Sequence, residues 1–180
     1  MQKTIHIGDS VFNLAATGAV LCIYKQQFGV EYYDDFLRIT AVNSNINATE
    51  TEKTAITLEV GYRLIWSMAK AADPNIQDPD SWLDSFEVFP LTKLLPIAME
   101  LLGKTFEQVI SVGTAAGGEK LTSENLVACC LSCGLNMADV NTLSIGFLLN
   151  SINEYIRIKS GGKTQTSTKR KATQADFDRF

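Results

Sequence analysis

Residues 3–14 read KTIHIGDSVFNL, with apolar and polar positions alternating on either side of Gly8 and Asp9. Ile5 and Ile7 on one arm and Phe12 and Leu14 on the other follow a period of two, and Gly-Asp supplies turn chemistry, so the stretch predicts a short β-hairpin. No other segment gives a convincing strand pair. From Thr17 the period lengthens: Val20, Ile23, Tyr24 and Phe28 fall at helical steps, and Gly29 provides a stop. The expected fold class is therefore mainly α with a small N-terminal β-hairpin, an α+β arrangement.

Outward from the hairpin, the pattern predicts a short helix over 32–39. The polar run TAVNSNINATET follows as a loop, and its last threonines are suited to cap the next helix. That helix, over about 51–72, carries Leu58, Tyr62, Ile65, Met68 and Ala69 as one apolar stripe and ends at Asp73 and Pro74; it is the expected central packing helix. A Pro-led turn then opens a short helix at Asp80 or Ser81, with Trp82, Leu83 and Phe86 directed inward. Leu94, Leu95, Ile97, Ala98, Leu101 and Leu102 mark a further apolar helix in which Pro96 fits only near the start. A segment over 105–112 continues or re-enters helix.

Three glycines in GTAAGGEK, residues 113–120, put a junction where neither helix nor strand is favoured. The chain divides there into a main domain over 1–115, a C-terminal helical module over 120–160, and a flexible basic tail over 161–180. The module opens with TSENLVACCLSCGL, capped by Thr122 or Ser123. It closes with an amphipathic helix in which Ile145, Leu148, Leu149, Ile152, Tyr155 and Ile156 recur at three- and four-residue steps. Arg157 and Lys159 suit the negative end of that helix, and Gly161 suits its stop.

Of 180 residues, 46% are hydrophobic and 20% charged, enough to build a substantial core. The net charge of −4 gives no global attraction to nucleic acid or anionic membrane, although Lys159, Lys163, Lys169, Arg170 and Lys171 make the tail locally cationic. No apolar run approaches the roughly 20 residues that cross a bilayer, and the first residues lack the apolar stretch of a signal peptide, so a cytoplasmic protein is expected. Cys22, Cys129, Cys130 and Cys133 are then reduced thiols.

The signals that resemble chemistry have plainer explanations. Cys129 and the C-x-x-C of Cys130 and Cys133 sit inside an apolar helical pattern, far from His6, the sole histidine, and lack the four ligands that zinc wants. Gly113 and Gly118 have phosphate-loop spacing, but Glu119 intrudes before Lys120; Gly162, Lys163 and Thr164 follow a helix instead of a strand. Asp80, Asp84 and Glu87 read as a helix start and a solvated face. No catalytic, cofactor or metal site is expected.

Three stretches together resemble the tail assembly chaperones of long-tailed bacteriophages and prophages of Gram-positive bacteria. They are the hairpin running into its helix, KTIHIGDSVFNLAATGAVLCIYKQQFG; the Trp-Leu-Asp-x-Phe helix in DPDSWLDSF; and LSIGFLLNSINEYIRIK with the basic spacer and RKATQADFDRF beyond it. The resemblance implies a binding protein without catalysis. Such a protein holds the helix-rich tape-measure protein, recruits tail-tube subunits, works in the host cytoplasm and is absent from the mature virion. It also implies a short and a long product made by frameshifting, for which residues 113–118 are the natural fusion point. A head-tail joining component and a small helical nucleic-acid-binding regulator are the alternatives, and self-association stays open.

Phe147, Leu148, Ile152 and Tyr155 offer more apolar area than one short helix buries against its own pair, so some are candidates to meet a partner. In the tail, Thr173 is placed to cap a turn with Asp176 three residues on, which would bring Phe177 and Phe180 to one face. Residues 173–180 are accordingly expected to be a docking peptide for the tube or tape-measure partner.

Overall fold

The computed structural model describes residues 2–8, 10–102 and 122–159. Strands β1 (Gln2–Ile7) and β2 (Ser10–Ala15) pair antiparallel, Ile5 opposite Phe12 and Ile7 opposite Ser10. Gly8 takes φ +55°, a left-handed backbone that a two-residue hairpin turn requires and glycine adopts without steric cost. Alternation then sorts the faces: Ile5, Phe12 and Leu14 are buried, while His6 and Val11 face out.

Helix α1 (Ala19–Phe28) ends where expected, with Gly29 at φ +71° and its N–H donating to the Lys25 carbonyl. Helix α2 (Tyr32–Ser44) runs five residues past the expected end. No glycine or proline interrupts TAVNS, and the Thr40 hydroxyl, which would otherwise compete for backbone groups, donates to the Phe36 carbonyl one turn back at 3.0 Å. Helix α3 (Glu50–Ala72) is capped by Thr49, whose Oγ1 accepts from Glu52 N while the Glu52 carboxylate accepts from Thr49 N, a reciprocal capping box.

Helix α3 is the central packing element, touching β2, α1, α2 and helix α5 (Leu91–Leu102). Val60, Leu64, Ile65, Met68 and Ala69 form its inward face. The expected stripe began one turn too early, since Leu58 is exposed near the open end of the helix. The short helix α4 (Pro79–Asp84) starts earlier than expected, with Asp78 as cap and Pro79 in the first turn. It buries Trp82 but leaves Leu83 on the solvent side. Trp82 packs edge-on against Phe12 at 5.4 Å and Phe86 at 5.1 Å, which fastens the hairpin to α4.

Pro96 is the sixth residue of α5, deeper than proline is usually tolerated. It lies on the exposed side together with Thr92, so the carbonyl left without a helical donor is on the wet face.

The expected helix over 105–112 and junction at 113–118 lie outside the described residues. Beyond them, α6 (Ser123–Ser132), α7 (Met137–Thr142) and α8 (Ile145–Lys159) fold back onto the start of the chain. Leu126, Cys130, Val140, Leu148 and Leu149 belong to the same hydrophobic cluster as Val20, Tyr24 and Ile65. Backbone bonds stitch the approach: Gly18 N donates to Leu143 O at 3.2 Å, and Ile145 N donates to Ala16 O at 3.3 Å. No described helix is long and apolar enough to cross a membrane.

Candidate functional site

On α1, Cys22, Lys25 and Gln26 follow i, i+3, i+4 spacing; on α6, Glu124, Val127, Ala128 and Leu131 follow i, i+3, i+4, i+7. Each set therefore shares one helical face. The two helices pack side by side, and these faces bound an open groove of about 570 Å³. Its floor is apolar, formed by Cys22, Val127 and Ala128. The small side chain at Ala128 leaves the depth, and Leu131 remains 49% exposed at the lip.

The polar end of the groove is held by one lysine. Lys25 Nζ lies 2.6 Å from Glu31 Oε1 and 2.6 Å from Glu124 Oε2. Glu31 flanks the start of α2 but turns its carboxylate to the N-terminus of α6, accepting from Ser123 N at 3.1 Å and from Ser123 Oγ at 2.6 Å. A carboxylate there meets free N–H groups and the positive end of the helix dipole. The bond to Glu124 raises the Lys25 ammonium above its ordinary value, and the reciprocal bond from Lys25 holds the Glu124 carboxyl below its own. Burial, and then the negative charges of Glu124 and Glu31, push the Cys22 thiol up, which keeps it neutral. An apolar floor with an ion-paired rim is suited to receive the apolar side chains of a peptide or helix.

A second polar cluster lies inside the fold. Asp35, buried on α2, accepts from Tyr24 Oη at 2.6 Å, from Arg63 at 2.9 Å and from Arg38 at 3.2 Å. Glu59 pairs with both arginines at 2.6 Å, and Arg63 lies over the Phe28 ring. Burial and the bond to Asp35 push the Tyr24 hydroxyl far up, so it stays a donor. Every group in this cluster is answered by another, and it ties α1, α2 and α3 together.

The residues expected to meet a partner separate in space. Leu148 and Ile152 are buried in the chain's own core, whereas Phe147 is 53% exposed on the opposite side of α8. Tyr155 is half-buried, with the Lys159 ammonium 5.5 Å from its ring centroid. Thr173, Asp176, Phe177 and Phe180 lie outside the described residues, as do both glycine clusters with phosphate-loop spacing. The four cysteines are free thiols, and among the described residues no group of three or more His, Cys, Asp or Glu is arranged to hold a metal ion.

Sequence reasoning did not find the groove. Lys25 and Glu124 stand 99 positions apart, and helical periodicity carries no information about pairs so distant. The one available signal was Ala128 and Leu131 on the α6 face opposite Leu126 and Cys130. No family model matches this chain, and neither does any curated protein or solved structure.

Proposed function

We propose that this protein is a tail assembly chaperone of a long-tailed bacteriophage or prophage. It is a non-enzymatic binder that holds an apolar helical segment of the tape-measure protein in the α1–α6 groove and brings tail-tube subunits to it in the host cytoplasm, leaving before the virion is complete. The phage assignment is supported by the resemblance of the hairpin-helix, the Trp-Leu-Asp-x-Phe helix and the C-terminal stretches. The binding role is supported by the groove, whose apolar floor and ion-paired rim match one face of an amphipathic helix.

The test is co-expression with the tail-tube and tape-measure proteins encoded beside it, followed by pull-down of the wild-type chain and of Leu131→Glu. A charge at the groove lip, on a side chain that already reaches solvent, should abolish capture of the tape-measure protein while leaving the fold unchanged by circular dichroism. Equal capture by both chains removes the groove from the reading. Capture by neither removes the chaperone role.

A further inference from the structure

Apolar contact alone does not choose between partners, but the charges at the rim of the α1–α6 groove do. Lys25 stands between two carboxylates, so the rim keeps a net negative charge after the lysine is paired. We infer that the helix held in this groove is basic, with a lysine or arginine set against Glu124 and an apolar side chain against the floor. This rests on the groove's proposed binding role and adds which kind of helix it takes.

The two carboxylates are not equally available. Glu31 is tied to the start of α6 through Ser123, and its side chain is 11% exposed, against 66% for Glu124. Negative charge is therefore presented to solvent at Glu124, beside the apolar floor. A cation arriving there extends the Lys25 pair into a chain of alternating charge, the arrangement in which surface ion pairs count for most. A carboxylate arriving there meets Glu124 with Lys25 already committed to two acids, and like charges brought together at an interface suppress wrong partners. The chain's net charge of −4 steers encounter in the same direction.

The spacing along α6 says where that cation belongs. Glu124, Ala128 and Leu131 lie at i, i+4 and i+7, so the acid and the apolar lip are about 10 Å apart along the axis. A helix lying along α6 thus needs its cation one to two turns from its apolar contact. A second apolar groove, bounded by α2, α3 and α5, has a volume of about 170 Å³ and walls that include Phe36, Val60, Leu64, Leu95 and Met99. Among the described residues no charged side chain lines it, so what enters there is not sorted by charge. Charge selection distinguishes the two grooves, and occupancy of one does not exclude the other.

The experiment uses the full chain and a pair of synthetic amphipathic helices of about five turns each. They share one leucine face and differ only at the flanking positions, lysine in one and glutamate in the other; fluorescence anisotropy gives their affinities. Wild type should bind the lysine helix about fivefold more tightly, and the ratio should fall towards one as salt rises from about 0.05 to about 0.5 M. Glu124→Gln, which leaves Lys25 with Glu31 alone, should bring the ratio close to one at low salt. Ala128→Phe fills the floor from an exposed position without changing charge, and should abolish binding of both helices. Equal affinities of wild type for the two helices overturn the inference and leave the groove's binding role standing. A lysine preference that survives in Glu124→Gln or Ala128→Phe also overturns it, because the cation is then held elsewhere on the acidic body. Binding of neither helix overturns it as well, whereas the groove's own role falls on equal capture of the tape-measure protein by wild type and Leu131→Glu.

Discussion

Gly18 sits where the returning C-terminal helices press closest to the start of the chain. A Cβ at this position would stand 2.5 Å from Leu148 Cδ1 and 2.8 Å from the Val140 carbonyl oxygen, and a backbone atom cannot step aside as a side-chain tip can. Its φ of −58° is ordinary helical backbone, so alanine is conformationally allowed and would by itself stabilise the chain through the unfolded state. Overpacking wins: Gly18→Ala should cost about 1–3 kcal/mol, read as a lower urea midpoint at unchanged slope. A raised midpoint would mean that the α7–α8 contact is looser than the structure has it. At Asp35 the side chain serves three donors, so its loss and the loss of one donor should differ. Asp35→Ala leaves the buried Tyr24 hydroxyl without an acceptor, at a cost of about 1–3 kcal/mol, while Arg63 keeps Glu59. Tyr24→Phe leaves Asp35 with both arginines and should cost about 1 kcal/mol or less. Urea midpoints that rank the two in the opposite order would show that the hydroxyl, and not the carboxylate, organises the cluster. Single residues of this kind were half legible: Tyr24 reads as core from its helical spacing, but nothing in the sequence pairs it with Asp35.

At the scale of elements, the sequence carries what is local and misses what is not. The hairpin turn, the Gly29 stop and the α3 cap depend on residues within a few positions of one another, and all three stand where periodicity and turn chemistry place them. The end of α2 and the depth of Pro96 depend on what the helix packs against and which face is wet, so a polar sequence stays helical and a proline is tolerated. The α3 cap gives a prediction with a definite pH window. The Thr49 N–H, followed by its hydroxyl, holds the Glu52 carboxyl below the usual carboxylate range. A carboxyl whose value is lowered by folding stabilises the native state above its unfolded value, and that contribution fades as pH falls through the folded one. The difference in melting temperature between wild type and Glu52→Gln should therefore be present at pH 6 to 7 and shrink towards zero as the pH drops below about 4. Thr49→Ala, which removes the other half of the box, should cost about 1 kcal/mol at neutral pH. A wild-type to Glu52→Gln difference that stays constant down to pH 3 would assign the effect to side-chain packing instead of charge.

For the molecule as a whole, the sequence suggests two folding units separated at residues 113–118, while the described residues on either side contribute to one hydrophobic cluster. Those two descriptions differ in what they predict for unfolding. Both tryptophans, Trp66 and Trp82, precede the junction, on α3 and α4, so their fluorescence reports on the first unit only. Leu148 follows it, fully buried on α8 against Gly18. Leu148→Ala removes buried methyl groups at a cost of about 2–5 kcal/mol, but where that cost is seen depends on cooperativity. If the hairpin, α1 and α6–α8 share one core energetically as they do spatially, the tryptophan transition in urea should shift to lower denaturant by the full amount and coincide with the far-ultraviolet circular dichroism transition. If the helices beyond residue 121 unfold on their own, tryptophan fluorescence should keep its midpoint while circular dichroism splits into two steps. The cross-chain bonds at Ala16, Gly18, Lys25 and Glu31 favour the single transition, because each joins backbone or charge near the N-terminus to the returning helices. The same coupling bears on the groove. Its two walls come from opposite sides of the junction, so in a two-step molecule an early loss of α6 would remove the site before the first unit unfolds, and Cys22 would become reactive at lower urea than the tryptophan midpoint.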